Sequence, residues 1–196
     1  MVFIKNFLSV FFCIILVPGI LSAGTKKDRY IINPTVSSFD SFPSFPNAKR
    51  WFVGSVENLV TGQDSGIIGY TRTGIKTKAP VICSPSLEKV FRNSLFNLFS
   101  DKKVVSLDAS AADFLIRVKI LDFYLIEKSS FLTQTINAKI KLEVTQVDPF
   151  DTTRVLKFVV DSENSQTALD TSNYAESITR DILSSALKEI WKTLNR

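Results

Sequence analysis

Residues 136–147 read INAKIKLEVTQV, and this stretch decides the fold. Ile136, Ala138, Ile140, Leu142 and Val144 take the even positions, with Asn137, Lys139, Lys141, Glu143 and Thr145 between them. Successive side chains of a strand point to opposite faces, so a strict period of two predicts a strand with one buried and one wet face. The flanking segments repeat the pattern. Over residues 114–124, Phe114, Ile116, Val118 and Ile120 alternate with Leu115, Arg117, Lys119 and Leu121. Over residues 154–161, Leu156, Phe158 and Val160 alternate with Val155, Lys157 and Val159. Lys128-Ser129-Ser130 and Asp148-Pro149-Phe150-Asp151 supply turn residues between the three. Connections this short join antiparallel neighbours and predict a meander.

Helical periodicity brackets the meander. Leu87, Val90, Phe91, Leu95, Leu98 and Phe99 share one face of a helix over residues 84–100. Ser84 is its expected cap, with Pro85 at the first helical position, where a missing N–H costs nothing. A second helix is expected over residues 173–194, opened by Asn173 and Glu176 as a capping pair. Its stripe is Ile178, Ile182, Ala186, Ile190 and Leu194, widened by Leu183 and Leu187. Earlier, residues 52–60 read as a first strand, and residues 67–71 and 75–82 as two short extended segments. These elements predict an α+β fold, an antiparallel β-sheet (meander) with two helices packed on one face.

Residues 1–23 have the build of a signal peptide. Lys5 supplies positive charge, residues 7–17 (FLSVFFCIILV) are almost wholly apolar, and Leu21-Ser22-Ala23 offers a cleavage site. The apolar stretch is shorter than the ~20 residues of a spanning helix, which favours cleavage over retention as an anchor. Cys13 sits mid-stretch behind Phe11 and Phe12, a poor place for lipid attachment. Residues 24–50 form an extended arm or linker rich in Ser, Pro and Phe. Phe39, Phe42 and Phe45 recur every third residue, a spacing that suits extended chain, and pinning of the arm to the domain is the favoured role. Residues 51–196 make a single α+β domain.

With zero His among 196 residues, Ser-His-Asp and Cys-His machinery and the usual zinc sites are excluded. Beyond the leader Cys83 stands alone, so no disulfide is expected within the mature part. Cys83 precedes a helix start, where a thiol can be activated, but a small apolar residue at a strand end is the plainer role. Two acid pairs, Asp108 with Asp113 and Asp148 with Asp151, sit where turns want Asp and carry little weight as catalytic carboxylates. No catalytic, cofactor-binding or metal site is expected, and the protein is read as not an enzyme. The net charge of +5 is mild, and no basic run carries interleaved aromatics, which argues against nucleic acid.

The candidate binding residues lie on the polar face of the meander: Arg117, Lys119, Lys139, Lys141 and Lys157, with Glu143 the one acid counted among them. Leu115, Leu121, Phe123, Val155 and Val159 fall on the same face. If Val118 pairs with Ile140, Lys119 lies opposite Lys139; a slip in register sets Arg117 against Glu143 instead. Cations mixed with apolar groups suit an anionic lipid or an acidic envelope partner. A solvated face with basic side chains covering apolar neighbours has the same composition.

Phe52-Val53-Gly54-Ser55-Val56-Glu57-Asn58, Ile68-Gly69-Tyr70-Thr71-Arg72-Thr73-Gly74 and Ala79-Pro80-Val81-Ile82 resemble the opening of YajG-type bacterial envelope lipoproteins. Ala112-Asp113 entering a long strand, and the terminal helix, keep the same order. Asn58 stands where that family has an acid, and a lipobox cysteine is missing. The resemblance implies an exported protein, periplasmic or associated with the outer membrane. The expected function is a non-catalytic binding or accessory protein of the bacterial cell envelope. The alternative is an assembly protein that oligomerises through the basic face or the Phe-rich arm.

Overall fold

The computed structural model describes residues 29–46, 49–60, 66–72, 78–129, 134–168 and 174–196. The leader with Cys13, and Asn173 of the expected capping pair, lie outside the described residues. Among the described residues seven strands form one sheet: β1 (Tyr30–Ile32), β2 (Trp51–Asn58), β3 (Ile67–Arg72), β4 (Lys78–Cys83), β5 (Phe114–Ser129), β6 (Gln134–Val147) and β7 (Val155–Ala168). The helices are α1 (Leu87–Asp101) and α2 (Tyr174–Leu194). The strand order is β1-β4-β3-β5-β6-β7, with β2 also paired to β5.

The α+β class and the β5-β6-β7 meander are as expected, but the sheet is mixed. β2 and β3 both pair β5 in parallel, and β1 pairs β4 in parallel. The reason is connectivity. β2 reaches β5 only by way of β3, β4 and α1, a crossover that returns the chain in its original direction. β5 is long enough to take β2 along Phe114–Ile120 and β3 at Leu125 and Ile126.

Both helices pack on the inner face. Leu87, Val90, Phe91, Leu95, Leu98 and Phe99 of α1 join Ile178, Ile182, Leu183, Ala186, Leu187 and Ile190 of α2 in one core with Ile116, Ile140, Leu142 and Val144. Phe158, expected within this core, is only partly buried beside it. α1 begins later than expected, with Ser86 at its N-cap. Ser84 is still held to the sheet, where its N–H donates to the Ile32 carbonyl at 2.9 Å.

The arm is built into the molecule. β1 lies within it, and Val36, Phe39 and Phe42 are buried. Val36 N–H donates to Ser94 Oγ on α1 (3.0 Å), and Lys102 Nζ donates to the Phe39 carbonyl (3.1 Å). Phe39 and Phe42 meet edge to face at 5.2 Å, and Phe45 meets Trp191 of α2 at 5.7 Å. Phe39, Phe42 and Phe45 thus pack the described part of the arm against the domain.

A bulge between Ile120 and Asp122 resets the phase of β5. Before it Ile116, Val118 and Ile120 point inward; after it Phe123, Leu125 and Glu127 do. Phe123, expected beside the basic residues, is consequently in the core. The Thr71 hydroxyl donates to the Glu127 carboxylate, one of the few polar contacts inside.

Candidate functional site

The five expected binding residues do share the outer face, on three adjacent strands. Register decides what surrounds them. Lys119 lies between Glu57 on β2 and Glu143 on β6, and Lys141 between Asp122 on β5 and Asp161 on β7. Lys139 stands opposite Glu163 and ion-pairs Asp161 at 3.6 Å. Lys157 ion-pairs Glu143 at 2.8 Å, while Arg117 faces Thr145. Neither register weighed from sequence occurs: Val118 pairs Val144, so no two cations are direct partners there.

Glu143 is not the one acid of this face. Glu57, Asp122, Asp161 and Glu163 join it, so five carboxylates interleave with five cations. Opposite charges across a ladder favour pairing, where like charges would oppose it. This region is a charge-balanced sheet surface.

The outer face changes character toward β1. Ile31, Ile82 and Ile67 are register partners in one row. Two residues along the strands, ~7 Å away, Pro80, Tyr70 and Ile126 form the next. Ile31 is 60% exposed, Tyr70 47% and Ile126 46%. Beyond these rows stand Lys78 at the start of β4 and Lys128 near the end of β5, both exposed. Arg29, also exposed, enters β1 on this side. None of these three cations forms an ion pair among the described residues. Two apolar rows bounded by exposed cations are thus present, on strands different from those the sequence singled out.

Sequence reasoning missed this patch because no single segment carries it. Ile31 lies in the arm, Tyr70 on a six-residue strand, and Ile126 in the part of β5 past the bulge. Their proximity depends on parallel pairing across long connections. The available signal was the break in β5 alternation at Leu121-Asp122, which turns Ile126 outward.

Asp108, Asp148 and Asp151 are occupied as turn chemistry requires, whereas Asp113, also expected to serve a turn, binds a segment 63 residues away. Asp108 accepts from Ser110 N–H (2.9 Å), which holds its carboxyl below the usual range. Asp113 accepts from Arg50 N–H (2.8 Å). Asp148 accepts from the N–H groups of Phe150 and Asp151, and Asp151 from Thr153. Cys83 is buried at the end of β4, and burial, reinforced by the nearby Glu88 charge, pushes its thiol up to about 12. The helix start does not activate it. No cluster of three metal-ligating side chains occurs among the described residues. No helix there is long and apolar enough to cross a membrane.

No family model matches the chain, and no curated protein matches its sequence. Its fold is similar to that of protein XCC0632 from Xanthomonas campestris, family DUF330, at 14% identity, over 85% of this chain and 91% of that one, with a TM-score of 0.52. Looser matches include the hypothetical protein CT253 from Chlamydia trachomatis (12% identity, 76% and 96% covered, TM-score 0.44). A minor lipoprotein from Acinetobacter baumannii matches at 9% identity, with 76% and 93% covered and a TM-score of 0.39. The first of these establishes a shared fold. The YajG-type resemblance stays one of short motifs.

Proposed function

We propose that this chain is a non-catalytic accessory protein of the bacterial envelope that rests on an anionic lipid surface through the Ile31–Tyr70–Ile126 patch. Export is read from the leader, and the envelope setting from the leader together with the YajG-type motifs. The observation that carries the reading is the pair of exposed apolar rows bounded by Arg29, Lys78 and Lys128.

The physical case has two parts. Exposed apolar side chains gain by leaving water, and a tyrosine suits the headgroup level because its ring is apolar and its hydroxyl polar. Each cation near an anionic surface contributes about 1 kcal/mol, an attraction that salt weakens. The charge-balanced region around Lys119, Lys139 and Lys141 contributes little, because its cations already face carboxylates.

The test is flotation of the mature protein with phosphatidylglycerol vesicles and with phosphatidylcholine vesicles, at low and high salt. The reading expects binding to the anionic vesicles that falls as salt rises, and weak binding to the neutral ones. Equal recovery with both lipids, or with neither, contradicts it.

A further inference from the structure

The far edge of the sheet has no strand partner among the described residues. β7 runs for 14 residues and pairs β6 from Val147↔Val155 to Gln134↔Ala168 without a register shift. It ends the strand order. Sheets usually blunt such an edge with a short strand, a proline or a bulge. β7, VLKFVVDSENSQTA, has none of these. Val155, Leu156 and Val159 on it are exposed, Val159 by 54%.

We propose that β7 pairs antiparallel with β7 of a second copy, about a two-fold axis at Val159, to join two sheets into one. This surface is independent of the lipid patch. A lysine on an edge normally repels a second strand, and β7 carries Lys157. In this register, however, Lys157 stands opposite Asp161 of the second copy, and the reciprocal pair repeats across the axis. Val159 meets Val159 on the axis itself. On the inner side, the partly buried Phe158 lies opposite Val160 of the second copy.

Neighbouring registers are worse. An axis at Lys157 or at Asp161 sets like charges face to face. An axis at Phe158 sets Lys157 against Val159; one at Val160 pairs Lys157 with Glu163, but it sets Val159 against Asp161 and gives up the Val159–Val159 contact. The favoured register also extends contacts already present. Lys157 is bound to Glu143, and Asp161 to Lys139. Across the interface the charges therefore alternate as Glu143, Lys157, then Asp161 and Lys139 of the second copy.

Sedimentation velocity and cysteine cross-linking of the mature protein test this. Wild type should sediment as a dimer. Val159→Lys, which puts two lysines on the axis without touching the core, should raise the dimer dissociation constant about tenfold or more while leaving the circular dichroism spectrum of the folded protein in place. Val159→Cys should cross-link rapidly under mild oxidation, since paired strands bring Cα atoms within disulfide range. Val155→Cys should not, because its two copies lie ~27 Å apart along the strands. The native Cys83 is buried and leaves the new thiol as the reactive one. A monomeric wild type, a Val159→Lys variant that stays dimeric, or equal cross-linking at positions 155 and 159 overturns the proposal.

Discussion

The indole N–H of Trp191 donates to the Pro43 carbonyl at 2.7 Å, tying the last helix to the arm that precedes β2. The other tryptophan, Trp51, is fully buried between Phe99 and Phe114, and its Nε1 has no hydrogen-bond partner among the described residues. Two rings of one kind thus sit in different states of polar satisfaction.

That contrast makes a stability prediction. Trp191→Phe removes a donor and leaves a half-buried carbonyl short of its partner, adding about 1–3 kcal/mol to the loss of packing. Trp51→Phe removes a donor that folding had stripped of water without replacement, so part of its packing loss is offset. Urea unfolding should find Trp191→Phe less stable than Trp51→Phe by about 1–2 kcal/mol. The reverse order would mean the arm contact carries no weight.

Gly69 predicts a second effect. A Cβ built there would stand 2.2 Å from the Leu125 carbonyl oxygen, where β3 pairs with β5. Backbone cannot yield as a flexible side chain can, so Gly69→Ala must push the strands apart. The expected cost is about 2–3 kcal/mol by chemical denaturation. A change within ~0.5 kcal/mol, the usual surface value, would show that the strands part freely.

The legible parts of this fold are those written in local periodicity. The alternation over residues 136–147 placed β6, and the stripes of Val90, Leu98, Ile182 and Ile190 placed the buried helix faces correctly. What was not legible depends on contacts distant in sequence. β1 forms because Tyr30–Ile32 finds β4 some fifty residues on. The five cations looked unbalanced because Asp161 and Glu163 lie at or past the end of the expected third strand, and because the bulge, unseen, turns Asp122 outward. Charge on a sheet face is set by register, and period-two patterns fix a strand's faces without fixing its partner.

Cys83 gives a pH dependence whose sign follows from its raised thiol. The unfolded thiol titrates near 9.0 and the folded one near 12, so between these values the unfolded chain holds fewer protons. Stability therefore falls as pH rises through that window, by about 1.4 kcal/mol per unit at most from this group. Below pH 9 its contribution is constant. Cys83→Ala should start lower, because it leaves a small cavity, and should lose stability less steeply above pH 9. Parallel curves for the two proteins would show that the thiol ionises as easily folded as unfolded.

On the proposed reading, lipid contact belongs to the apolar rows ending at Lys78 and Lys128, and not to the charge-balanced meander. The most direct measurement compares two double charge reversals by flotation with phosphatidylglycerol vesicles at low salt, after circular dichroism has shown both folded. Lys78→Glu/Lys128→Glu should lose most of the binding, since two attractions of about 1 kcal/mol each become repulsions. Lys139→Glu/Lys141→Glu should bind nearly as wild type does. Binding that survives the first pair and disappears with the second would contradict the account and return the site to the five cations of the meander.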